Sequence, residues 1–168
     1  MKHLKYLPAT IALFLAATSA VAATSAQQSF DTIKALQGTW EGNSSEGKAV
    51  EVSFRPTSGN SAILSEIRGG DHGPDQDMIT MFHMDGPNLL MTHYCSAGNQ
   101  PRMTATASPD GKTITFDFRD ATNLSAPDAG HMQRVIFTIT DANHHVEEWH
   151  FMDHGREIVD RFDLTKKS

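Results

Sequence analysis

The feature that most constrains this chain is the run of turn-forming clusters that interrupts it from residue 38 to its end. They read Ser44-Ser-Glu-Gly47, Thr57-Ser-Gly-Asn60, Asp85-Gly-Pro-Asn88, Ser96-Ala-Gly-Asn99, Ser108-Pro-Asp-Gly111, Asp141-Ala-Asn143 and His154-Gly155. Each combines residues that accept left-handed or tight-turn backbone, so each ends one extended segment and starts another. Between them lie short stretches with period-two alternation, at 39–42, 49–55, 62–67, 78–84, 89–95, 100–107, 112–119, 132–140, 145–152 and 157–165. Turns this short force sequential strands to run antiparallel. A large sheet left open would expose unpaired edges, and closure removes them. The expected fold is therefore all-β: an antiparallel up-and-down β-barrel of about ten strands. One short helix precedes it, because Phe30, Ile33 and Leu36 recur at helical spacing. Two longer connections, 69–77 and 120–130, are expected at a rim, the second with a helical turn.

Residues 1–26 read differently from the rest. Lys2, His3 and Lys5 precede an apolar run from Leu7, and small residues follow at Ala20-Val-Ala22 and Thr24-Ser-Ala26. This is the pattern of a secretory signal peptide, with cleavage after Ala22 or Ala26. It predicts an exported protein, periplasmic or secreted, with one domain over 27–168. No segment approaches the ~20 apolar residues of a membrane-spanning helix. Removing the two lysines of 1–26 takes the net charge from −6 to −8, which argues against a nucleic-acid partner, since that calls for a basic face. Cys95 is the single cysteine. It has no internal disulfide partner, and is either a small buried residue or an accessible thiol.

The entry Gly38-Thr-Trp-Glu-Gly42, the strands that follow and the ending Phe162-Asp-Leu-Thr-Lys-Lys resemble the lipocalin-like, or calycin, superfamily. More narrowly, the chain from about Phe30 on is similar to a bacterial family of exported lipocalin-like domains of unknown function. The resemblance implies that Trp40 plugs one end of the barrel. It also implies that Lys166 stands where related barrels carry a basic residue on that tryptophan. Nitrobindins, ten-stranded members of the wider superfamily, bind haem through a barrel histidine, a part open here to His83, His93 or His150. No close match to their ligand segment is present, and the histidines lack the paired spacing of a zinc motif, so no cofactor or metal is expected. His72 stands among Asp71, Asp75 and Asp77, read as a solvated polar loop.

The stretch Met91–Met103 carries the densest set of chemically capable side chains, with His93, Tyr94, Cys95, Asn99, Gln100 and Arg102 near one hairpin end. A four-residue loop over 96–99 sets Cys95 opposite Gln100 and His93 opposite Arg102, and the next turn sets Met103 opposite Phe116 and Arg102 opposite Asp117. That register points Tyr94 into the barrel with the apolar face of Met103 and Phe116. A single β-bulge would instead turn His93 inward. No nucleophile elbow, phosphate loop or catalytic carboxylate pair is present, which leans against an enzyme. Glu148 and Arg161 are expected as a cross-strand ion pair. The favoured function is binding of a small, partly apolar molecule, with His83, His93, Tyr94, Gln100, Arg102 and Trp149 as site residues and an apolar lining including Met103, Phe116 and Phe151. A structural or protein-interaction barrel without ligand is the alternative. The sequence does not set an oligomeric state.

Overall fold

The computed structural model describes residues 25–70 and 77–168. Most of the expected signal peptide, and the loop holding His72, lie outside the described residues. The chain forms α1 (Ser25–Ala35) and then ten strands: β1 (Gly38–Asn43), β2 (Ala49–Thr57), β3 (Ala62–Gly69), β4 (Met78–Asp85), β5 (Asn88–Tyr94), β6 (Gln100–Ala107), β7 (Thr113–Thr122), β8 (His131–Asp141), β9 (His144–Asp153) and β10 (Arg156–Lys166). Each strand pairs antiparallel with the next, and β1 pairs with β10, so the sheet is a closed up-and-down barrel. Strand bounds fall within three residues of expectation throughout. Over 123–130 no helix forms, but one hydrogen-bonded turn does, the Ala129 N–H donating to the Ala126 carbonyl at 3.1 Å, and β7 runs on to Thr122.

α1 starts five residues before the expected Phe30. Ala26, Phe30 and Ile33 lie at i, i+4 and i+7, one stripe packed against the core. The polar residues around that stripe hide it from a reading that begins at the first large apolar side chain. Just past the helix, Leu36 offers its carbonyl to the Trp40 indole N–H at 2.7 Å. Trp40 is fully buried, and Lys166 Nζ lies 5.4 Å from its ring centroid. The tryptophan thus ties helix, first strand and last strand together, as the Gly-x-Trp entry implied. Above it Phe54, Phe82, Phe116 and Phe137 fill the barrel with ring centroids 5.5–6.3 Å apart. The helix end is a packed core, not a cavity.

Two registers differ from expectation. The β5–β6 loop has three residues, Ser96 to Gly98, because Gly98 takes φ +83° and its N–H bonds to the Cys95 carbonyl at 2.9 Å. Cys95 therefore faces Asn99, the Cys95 N–H donating to the Asn99 carbonyl at 3.2 Å, and Thr92 faces Arg102. One residue of slip exchanges the faces of β5. His93 is fully buried inside the barrel, and Tyr94 is half-exposed on the outer wall. Between β6 and β7 the pairing is displaced by two residues, with Met103 opposite Phe118, which leaves the faces unchanged. A bulge between Arg102 and Met103 then sets Arg102 opposite Asp120 rather than Asp117. Asp117 pairs with Arg134 at 2.6 Å, and Glu148 faces Arg161, Nε to Oε1 3.6 Å, as expected.

Candidate functional site at the open end of the barrel

The strand directions place the connections 44–48, 95–99, 123–130 and 154–155 at the end opposite α1. A cavity of about 290 Å³ opens there. Its floor is apolar, with Ile67, Met78, Met132, Trp149 and Phe162, and Cys95 and Phe151 stand in its wall. Half-exposed Ile158 and Val159 of β10 line it as well. At the rim Asp160 accepts from the Ser45 hydroxyl at 2.8 Å and from its N–H at 3.3 Å, fastening the β1–β2 turn to β10.

Trp149 is held from below by alternate residues on the inner face of β9. Its indole N–H donates to Glu147 Oε2 at 2.9 Å, and His145 Nε2 meets Glu147 Oε1 at 3.1 Å. Glu147 and His145 are both fully buried. The His145 ring stands edge-on to Trp40 at 4.3 Å, so the ladder runs from the cavity floor down to the plug. From β5, His93 lies against Trp149 with centroids 4.9 Å apart, and its Nδ1 is 2.9 Å from the Thr80 hydroxyl. A carboxylate can sit this deep because it accepts two hydrogen bonds from groups that need an acceptor. The result is an oriented indole at the base of an otherwise featureless apolar cup.

A second, shallower groove of about 540 Å³ lies beside the cavity, along 97–99 and 123–130, and shares Phe151 with it. Asn99 lines it and is 4% exposed. Its amide N–H donates to the Gly130 carbonyl at 2.7 Å, while its Oδ1 has no hydrogen-bond partner among the described residues. Burial pushes the Cys95 thiol up from its ordinary pKa, partly offset by hydrogen bonds from Ala97 and Ser96.

Of the residues expected at the site, Trp149 alone lines the cavity, and His93 supports it from beneath. Gln100 is at the same end but is engaged in the wall, accepting from the Thr122 hydroxyl at 2.7 Å and donating to the Gly98 carbonyl at 3.3 Å. Arg102 points outward and pairs with Asp120. Tyr94 faces Ile79 on the outer surface, and His83 sits near the helix end opposite Ala62 and Leu90. These three do not converge with Trp149. Met103 and Phe116 pack in the core rather than around the cavity, whereas Phe151 does line it. Ile67, Met78, Met132 and Phe162 were not singled out, since four different strands bring them together only once the barrel has closed. His150 bonds Glu157 at 2.9 Å on the outer wall, away from His93, and no group of three or more His, Cys, Asp or Glu is placed to hold a metal among the described residues.

Fold and site together define a closed ten-stranded antiparallel barrel, plugged at one end and hollow at the other. No protein-family model matches the chain, and no curated protein matches it. Among solved structures it is similar to a protein of unknown function from the DUF3598 family (NPUN_R4044) of Nostoc punctiforme PCC 73102. The TM-score is 0.52 at 7% identity, over 81% of this chain and 49% of that one. The chain thus spans about half the length of that protein, and the likeness is one of fold.

Proposed function

We propose that this is an exported, lipocalin-like barrel that holds a small, largely apolar molecule at its open end. The observation that carries the reading is the cavity of about 290 Å³ above Trp149, apolar on its floor and bounded by polar groups only at the rim. Its size is near the lower end of small-molecule sites, which run from about 300 Å³. Export rests on the pattern of residues 1–26. Cleavage after Ala22 suits α1, because cleavage after Ala26 would remove the Ser25 carbonyl that accepts from the Ser29 hydroxyl at 2.9 Å. The mass of the protein recovered from a periplasm distinguishes the two.

Binding is tested with N-phenyl-1-naphthylamine, a neutral apolar fluorophore. Titration should give a saturable rise in emission at one molecule per chain and a higher melting temperature, since a ligand of the folded state alone must stabilise it. Met132→Trp, which fills the floor, should weaken the binding at least tenfold. Absence of saturable binding to the folded wild-type protein refutes the proposal and leaves the unliganded structural barrel.

A further inference from the structure

We infer that the molecule held at the open end carries a hydrogen-bond-donating cationic head, a primary alkylammonium rather than a carboxylate. Its apolar tail enters the Trp149 cavity past Phe151, and its head lies in the groove along 97–99 and 123–130. This rests on the reading of the open end as a binding site and adds the chemical class of the ligand.

Three observations point the same way. Asn99 is almost completely buried at the groove, yet its Oδ1 has no partner among the described residues. The amide cannot be turned round to mend this, because that would set Oδ1 against the Gly130 carbonyl now served by Nδ2 at 2.7 Å. A buried acceptor without a donor is costly, and although this oxygen is itself sealed from solvent, a ligand N–H that reaches it as the side chain shifts toward the groove recovers the loss. Next, Phe151 belongs to both cavity and groove, so one molecule of modest length reaches both. Finally, Glu46 and Asp160 line the cavity and Asp153 lines the groove, while neither is lined by a lysine or arginine among the described residues. A carboxylate head would be repelled there and would find no directional donor pair. Lys48 and His154 at this end already face acids: Lys48 Nζ is 3.5 Å from Glu46, and His154 Nδ1 is 2.7 Å from Asp153 Oδ1. His154 therefore competes with the incoming cation for Asp153.

The test measures displacement of N-phenyl-1-naphthylamine from the folded full-length barrel by four ten-carbon probes: decylammonium, decyltrimethylammonium, decanol and decanoate. Decylammonium should bind at least tenfold tighter than decanoate. Decyltrimethylammonium, with the charge but no N–H, should fall between them. Asn99→Leu should erase the gap between the two cations. Because that variant also loses the bond to Gly130, two milder ones accompany it. Asp153→Asn should weaken decylammonium severalfold while leaving decanol unchanged. His154→Asn, whose asparagine suits the left-handed backbone at this position (φ +47°), should tighten decylammonium severalfold. Equal affinity for all four heads, or tighter decanoate, overturns this inference while the cavity reading stands. Failure of N-phenyl-1-naphthylamine and all four probes to bind overturns the cavity reading itself.

Discussion

Replacing Glu147 by leucine removes the acceptor that holds Trp149 without removing much volume. Two donors lose their partner in a fully buried place, the Trp149 indole N–H at 2.9 Å and the His145 ring nitrogen at 3.1 Å. Each stranded buried donor costs about 1–3 kcal/mol. The expected loss is therefore about 2–6 kcal/mol, a large share of the ~5–15 kcal/mol by which a domain is stable. Urea unfolding followed by Trp40 emission reads it in any background that keeps Trp40. In the Trp149→Phe background the indole donor is gone, and the same Glu147→Leu change should cost about 1–3 kcal/mol less. A loss under ~1 kcal/mol, or an equal loss in both backgrounds, would show that the carboxylate does not hold the indole.

Gly42 lies on the β1–β10 seam, where an added Cβ would come within 1.9 Å of the Asp163 carbonyl oxygen; Gly42→Ala should cost more than ~2 kcal/mol and open that pairing first, read by amide hydrogen exchange. The His144 imidazole, 2.6 Å from Asp163, holds that carboxyl below its usual pKa. Its contribution is then complete above the unfolded carboxylate's pKa and is lost as pH falls through the lowered folded value. The gap in urea midpoint between wild type and His144→Phe should shrink over that acid range, and should be small at every pH because the pair is partly exposed. Trp40→Phe leaves a smaller ring in the plug and loses the bond to the Leu36 carbonyl, and should lower stability by at least about 0.5–1.5 kcal/mol in urea unfolding followed by circular dichroism.

The barrel was legible because turn chemistry is local: each Gly, Asn, Asp or Pro cluster acts within a few residues, and antiparallel order follows from loop length. Trp40 and Lys166 were legible only through the resemblance to lipocalin-like barrels, and the pairing of β1 with β10 sets the two opposite each other. The site was not. Gly98 shortens one loop by a residue, and that single step turned His93 inward and Tyr94 outward. Gly98, third in Ser96-Ala-Gly98, is the signal that favours the three-residue loop, since such a loop wants a left-handed residue at that position. Arg102 stood out because it is charged and near a histidine, but the β6–β7 bulge gave it an outer-wall partner in Asp120. The cavity wall is assembled from Ile67, Met78, Met132 and Phe162, ordinary core residues far apart in sequence whose shared place depends on closure.

Cys95, the only thiol, stands in the cavity wall and reports on occupancy of the open end directly. Burial raises its pKa, so alkylation by N-ethylmaleimide is slow at neutral pH and accelerates as pH rises toward that raised value. The decisive measurement is the alkylation rate, followed by intact mass, with and without saturating N-phenyl-1-naphthylamine at one pH. A ligand seated above Trp149 should slow alkylation at least tenfold, and a pre-alkylated protein should no longer bind the fluorophore. Saturable fluorophore binding with an unchanged alkylation rate would place the ligand elsewhere on the barrel and contradict the account.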